Sequence, residues 1–350
     1  MAVDAELARL VRQARNVTRM DLRSRVALAV KAGSHRSGLL SRLAQLQRAA
    51  PAIIFYHKIY RRPVGRWGEP VIGAEELERQ VAFLSREYQP VKLSELAAAI
   101  RGGLPLPERA VALTFDDGYR NNLELAAPIL RHYGVPATVF VVTGLVGTDR
   151  WMWGYELEKM FSQLPLAAIG LRAGEPTIAR ICGMGLASRV ALMACCSHLK
   201  SIPHDRLLEV MARLRERFPV ELDDDHRFLS WDEVRALRYY GFELGAHTAS
   251  HPILVRQPLE EAEREISDSA QHLEQALGER PAMFSYPNGD ASPEVVSLVG
   301  RYFQAAVTTR PGLCSPFSSI LELPRIPAPC TVAELDFELT RWRLRHEERP

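Results

Sequence analysis

The chain has 350 residues, 47% hydrophobic and 25% charged, an ordinary composition for a globular protein of one large domain or two smaller ones. Its 44 Lys and Arg nearly balance its 42 Asp and Glu, and a net charge of +2 excludes a protein that holds nucleic acid by bulk charge. No stretch reaches the roughly 18 apolar residues of an integral membrane helix.

Residues 1–50 carry ten basic and three acidic residues, a net of +7 that leaves about −5 on the rest. They predict a helical extension rich in Arg, Leu and Ala, either simply solvated or touching anionic lipid or a partner. The longest apolar run there is Val26–Val30, too short for a signal peptide. The five cysteines form no CxxC pair and read as reduced thiols. Both features lead to the expectation of a cytoplasmic protein, peripheral to the inner membrane face if the basic helix meets lipid.

Pro51 punctuates the chain, and Ala52–Tyr56 (AIIFY) begins a series of buried-strand patterns. Further strands are expected at Ala110–Phe115, Ala137–Val142, Phe242–Ala246, Ala282–Tyr286 and Gln304–Thr308. Helical periodicities lie between them at Ala74–Tyr88, Asn121–Tyr133 and Trp231–Tyr240. The clearest of these periodicities runs through Leu259, Ala262, Ile266, Ala270, Leu273 and Leu277. Continuous apolar strands separated by helices argue for a parallel sheet covered on both faces, either an open doubly wound sheet or a β/α barrel. Residues 150–228 break the alternation with helical stretches only and read as an inserted subdomain. The barrel-like domain then spans 51–330, with 331–350 as a C-terminal helix.

The informative residues follow the strands. AIIFY runs into His57, AVALTF into Asp116-Asp117-Gly118, FELGA into His247-Thr248-Ala249-Ser250-His251-Pro252, and AMFSY into Pro287-Asn288-Gly289. In parallel β/α folds these C-terminal strand ends converge on one rim, where sites are built. Adjacent aspartates repel unless a cation sits beside them, although Asp-Asp-Gly is also good turn and helix-capping chemistry. His247 and His251 have metal-ligand spacing, with Thr248 standing where a zincin would place its glutamate. Pro252 disfavours helix at His251, so the pair belongs on a loop. Two histidines and one of the aspartates would make a facial metal set with open positions. His35, His132, His198, His204, His226, His272 and His346 lack partner motifs and read as structural. Asp223–Asp225 reads as a solvated loop, and Trp151 and Trp153 as either a sugar-stacking lid or core packing.

At these residues the sequence resembles the polysaccharide deacetylase family (carbohydrate esterase family 4, the NodB-homology domain) over Pro51–Pro329, roughly four-fifths of the chain. Thr114–Gly118 resembles the family's first motif and His247–His251 its second. Gly241–Gly245, Tyr286–Gly289 and Leu323-Pro324-Arg325-Ile326-Pro327 add to the match. The resemblance implies a distorted (β/α)7 barrel and metal-dependent hydrolysis of an N-acetyl group on an aminosugar-containing saccharide, glycolipid intermediate or glycoside. It implies Asp116 as general base, and Asp117, His247 and His251 as ligands of one divalent ion, with zinc preferred and Co²⁺, Ni²⁺ or Mn²⁺ also suited to this set. A backbone N–H of the Tyr286-Pro287-Asn288 turn, that of Asn288, is expected to face the oxyanion, and Arg325 is placed with these residues around the substrate.

Many members carry Arg where this chain has Ser285, and a late Leu-x-His acid where it has only Arg325. A subgroup resembling exopolysaccharide deacetylases begins instead with a strand ending in Tyr-His, which makes His57 the expected general acid. The alternatives are O-deacetylation or hydrolysis of a non-sugar C–N bond on the same fold, and a catalytically silent sugar-binding or scaffold protein.

Overall fold

Every residue of β1 (Ala52–Tyr56) is buried, as its uninterrupted apolar run requires of a strand covered on both faces. The computed structural model describes residues 2–18, 31, 33, 50–61, 71–102, 104–221 and 223–347. The described chain divides into two compact units, one comprising residues 31, 33, 50–61, 71–102, 104–149 and 227–347, the other residues 2–18, 150–221 and 223–226.

In the larger unit, two-residue strands β2 (Ile59–Tyr60) and β3 (Ile72–Gly73) pair with each other. The principal strands are β5 (Ala110–Phe115), β6 (Ala137–Val141), β7 (Glu243–Ala246), β8 (Met283–Ser285) and β9 (Ala305–Val307), with β10 (Ile326–Pro327) pairing β1. Their order is β10-β1-β5-β6-β7-β8-β9, and β4 (Gln89–Pro90) joins β5 from outside that path. All pairings are parallel. Leu323 bridges to Val307 on β9, whereas Ile326 pairs with Ile54 on β1. The segment between therefore crosses from one edge strand to the other and brings the seven strands into the expected distorted β/α barrel.

The six apolar runs expected to be strands all are, trimmed by one or two residues at most. The pairs β2–β3, β4 and β10 are additional, being too short to show a period. The helix Leu259–Leu277 buries Ala262, Ile266, Ala270 and Leu273 against the sheet and ends on Gly278 in the left-handed conformation. Leu259, expected on that face, is instead exposed at the first helical position. The segment expected as one helix over Asn121–Tyr133 splits into a π-turn (Asn122–Ala126) and an α-helix (Ala127–His132), with Pro128 early in the latter.

Strand register sets the rim. Tyr56 pairs with Phe115, so His57 and Asp116 leave adjacent strands at the same level. Val141 pairs with Ala246, and Ala246 with Phe284, which places His247 beside Ser285.

The smaller unit is helical, with helices Trp153–Gln163, Leu166–Arg172, Pro176–Gly183, Ser188–Leu199 and His204–Arg217. The helix Ala2–Thr18 is not a separate extension. Its Leu7, Leu10, Val11 and Ala14 share a core with Leu157, Ile178, Leu192 and Leu207, while Arg9, Arg12 and Arg15 are exposed on its other side. The rest of the expected basic extension, with His35 in it, lies outside the described residues apart from 31, 33 and 50. Trp151 is buried and stacks on His226 with ring centroids 4.5 Å apart, and Trp153 packs against the helical core, so both serve packing. His226, fully buried, also pairs with Asp223, which is therefore an imidazole partner and not part of a merely solvated loop. Among the described residues no helix is long and apolar enough to cross a membrane.

Candidate active site

Asp116 is buried at the end of β5 and bound through both carboxylate oxygens by Arg325. Nη1 donates to Oδ1 at 2.8 Å and Nη2 to Oδ2 at 2.7 Å, the two-pronged geometry that fits guanidinium to carboxylate. The other three N–H groups of Arg325 reach the Thr308 carbonyl (2.8 Å), Thr114 Oγ1 (3.1 Å) and Ser285 Oγ (3.1 Å), so all five donors are used. Phe55 covers the guanidinium at 4.5 Å from its ring centroid, with Phe140 at 5.9 Å. Burial alone would raise the Asp116 pKa, but the charge and hydrogen bonds of Arg325, with His247 and His57 nearby, hold it well below the usual carboxylate range.

Arg325 was expected among substrate-contacting groups. It has no exposed surface and acts on Asp116 instead. It enters from the segment crossing between β9 and β10 and puts its guanidinium beside Ser285, the position at which the sequence resemblance leads one to expect an arginine. The sequence shows the loss at Ser285 and an arginine at 325, but the link between them depends on how the two edge strands are joined.

Asp117 follows Asp116 with φ 74°, a left-handed backbone turn. Asp117 Oδ1 lies 3.5 Å from Nε2 of both His247 and His251, and one donor atom from each residue falls within 4.8 Å of the others. His247 Nδ1 is 2.6 Å from the Ser285 carbonyl and donates to it, which directs the Nε2 lone pair toward Asp117 and His251. A carboxylate oxygen and two imidazole nitrogens converging at one buried point fit a divalent ion of the zinc type.

Thr248 and His251 both have positive φ, at 65° and 66°, a conformation costing roughly 1–3 kcal/mol at each non-glycine residue. The loop expected from Pro252 is thus present, and it is strained.

Burial pushes the His247 pKa down to about 4 from 6.5, reinforced by His251 and opposed by Asp116, Asp117 and the Ser285 carbonyl. A histidine neutral in the folded state but protonated when unfolded withdraws stability as pH falls between those values. The metal-free protein is therefore expected to lose on the order of 3 kcal/mol between pH 6.5 and 4. Urea midpoints across this range test it. His247→Asn should flatten the slope, and an unchanged slope would reject the assignment.

His57 stands half-buried beside this group, its ring edge-on to Phe55 at 5.8 Å. Tyr286 and Pro287 are buried. The Tyr286 hydroxyl donates to the Leu321 carbonyl at 2.9 Å and its N–H to the Val307 carbonyl at 3.2 Å, so Tyr286 holds the turn and does not face substrate. Asn288 adopts φ 61°, its side chain donating to Asp290 at 2.8 Å and its carbonyl accepting from Thr309 Oγ1 at 2.9 Å. Gly289 must be glycine: a Cβ there would lie 1.9 Å from Thr309 Oγ1.

The family model for polysaccharide deacetylase matches residues 103–302. Poly-beta-1,6-N-acetyl-D-glucosamine N-deacetylase of Escherichia coli (strain K12) is 45% identical over 73 residues, 21% of this chain and 11% of that protein. The protein of the same name from Staphylococcus aureus (strain MSSA476) is 33% identical over 81 residues, 23% of this chain and 28% of its own length. The alignments thus span only a minor part of these curated relatives. Among solved structures, the Streptococcus pyogenes deacetylase PplD in complex with acetate superimposes with a TM-score of 0.56 at 19% identity, covering 83% of this chain and 99% of that one. IcaB from Ammonifex degensii superimposes with a TM-score of 0.56 at 15% identity, covering 85% and 98%. These two establish likeness of fold. The family match extends over more than half of the chain and contains Asp116, Asp117, His247 and His251, and on that ground this protein belongs to the polysaccharide deacetylase family.

Proposed function

We propose that the chain is a metal-dependent hydrolase that removes acetyl groups from N-acetylated aminosugars in a saccharide. The carrying observation is the buried Asp116–Arg325 pair one residue from the converging donors of Asp117, His247 and His251. The names of the Escherichia coli and Staphylococcus aureus relatives support a β-1,6-linked N-acetylglucosamine polymer as the substrate class.

Asp117, His247 and His251 would hold the divalent ion, which supplies Lewis acidity to polarise the amide carbonyl and acidify the attacking water. Asp116, kept ionised by Arg325, accepts a proton from that water. Arg325 occupies only two of the carboxylate's roughly four acceptor sites, so a lone pair remains for the transfer. The hydroxyl adds to the carbonyl carbon, and the Asn288 backbone N–H, in the turn after β8, would meet the developing oxyanion. His57 then delivers a proton to the nitrogen as the C–N bond breaks, giving acetate and a free amine.

The test is acetate release from matched N-acetylated and O-acetylated glucosamine derivatives by metal-loaded protein. The N-acetyl compounds are expected to be consumed, and His57→Ala should slow them about 10²-fold or more. Release from the esters alone would favour the O-deacetylase alternative, and turnover by His57→Ala within a few-fold of wild type would remove His57 as the acid.

A further inference from the structure

The loop joining the two histidine ligands is tied down on every side, and the principal tie comes from a residue outside all the motifs. Glu265, nearly two turns into the helix Leu259–Leu277, points its carboxylate at the loop. Oε2 accepts from the backbone N–H of Ala249 at 2.9 Å and of Ser250 at 2.7 Å, and Oε1 accepts from the Ser250 hydroxyl at 2.5 Å. The Glu265 backbone carbonyl also takes the Ala249 N–H, at 3.2 Å. From the opposite side, Thr143 N–H donates to the Thr248 carbonyl at 3.2 Å and Gly144 N–H to the Ala249 carbonyl at 2.8 Å. Gly144 allows this approach, since a Cβ there would lie 2.6 Å from the Ala249 oxygen. Inside the loop, Thr248 Oγ1 accepts from the His251 N–H at 2.9 Å.

These bonds hold a conformation that the chain would not choose. Thr248 and His251 are both left-handed, and Thr248 is β-branched, a residue type for which positive φ is a genuine outlier. Released, the loop would relax and His251 Nε2 would leave Asp117. Hydrogen bonds from backbone N–H to a carboxylate are among the strong ones available for resisting this.

We infer that Glu265 is a positioning residue for the metal centre: it holds the Thr248–His251 loop in its strained form and so preorganises His251 as a ligand. The inference rests on Asp117, His247 and His251 being the metal ligands. Outer partners of metal ligands typically account for about 10–100-fold in metal affinity.

The experiment is calorimetric titration of the metal-free full chain with Zn²⁺, with thermal unfolding of each metal-free variant in parallel. Glu265→Ala is expected to weaken Zn²⁺ about 10–100-fold. Glu265→Gln, whose amide oxygen can accept both N–H groups while its NH₂ donates to Ser250 Oγ, should stay within about threefold of wild type. Leu273→Ala, on the same helix and fully buried but outside the loop, should lower the unfolding temperature and leave Zn²⁺ affinity near wild type. Should Glu265→Ala fail to fold, Glu265→Asp keeps the charge but withdraws it by one methylene and should weaken binding. Wild-type affinity in Glu265→Ala or Glu265→Asp, or an equal loss in Leu273→Ala, would overturn the role. If wild type itself binds no Zn²⁺, the assignment of the metal ligands fails, and this inference fails with it.

Discussion

Asp116→Asn is expected to lower kcat/KM for acetate release about 10²–10⁴-fold while leaving stoichiometric metal binding intact. The substitution preserves the shape of the side chain and one acceptor for Arg325, and it removes the one buried carboxylate, among the described residues, that lies beside the metal donors without being one of them. Asp117→Asn, by contrast, should lose metal and activity together, because its oxygen is one of the three converging donors. Two adjacent aspartates would thus separate by calorimetry into one that binds and one that turns over substrate. Activity of Asp116→Asn within a few-fold of wild type would mean that the proton acceptor lies elsewhere.

Arg325→Met is expected to have the largest effect on stability. It leaves the Asp116 carboxylate buried without its partner, and breaking one side of a buried ion pair costs about 3–5 kcal/mol. The remaining influences on Asp116 are then dominated by burial, which raises its pKa. In wild type the lowered pKa gives a stabilisation that is complete above the ordinary carboxylate value and is lost only as pH falls below it. In Arg325→Met that contribution is gone at neutral pH, and the acid limb of the activity profile should move upward. Combining Arg325→Met with Asp116→Asn removes the stranded charge, so the double variant should be less destabilised than the two single changes added together. Strict additivity, or an acid limb that does not move, would show that Arg325 does not control Asp116.

Much of the fold and of the metal-donor set was legible because both depend on local signals. Uninterrupted apolar runs such as AIIFY and AVALTF marked strands buried on both faces, and the polar residues after them marked the rim. Asp117, His247 and His251 come together because each directly follows a strand or its turn. Arg325 is visible in the sequence but its place is not, since its contact with Asp116 depends on the segment after β9 crossing to β10, which pairs with β1 from the far end of the chain. Tyr286 reads as facing substrate because it opens the polar turn after β8, whereas strand alternation turns its ring into the core. Glu265 gave no signal, being one acidic residue among several on an amphipathic helix, and only the fold shows that it faces the His251 loop. The N-terminal helix read as an extension because its apolar stripe matches any core, and sequence does not say that it shares one with residues 150–226.

The most direct test is the time course of acetate and free amine from a β-1,6-linked N-acetylglucosamine oligomer, run with metal-loaded, chelator-treated and metal-restored protein. Acetate and amine are expected in equal amounts from the loaded protein, with loss of both after chelation and recovery when the metal is returned. Undiminished release after verified removal of metal would contradict this, as would the absence of acetate from protein holding one metal ion per chain.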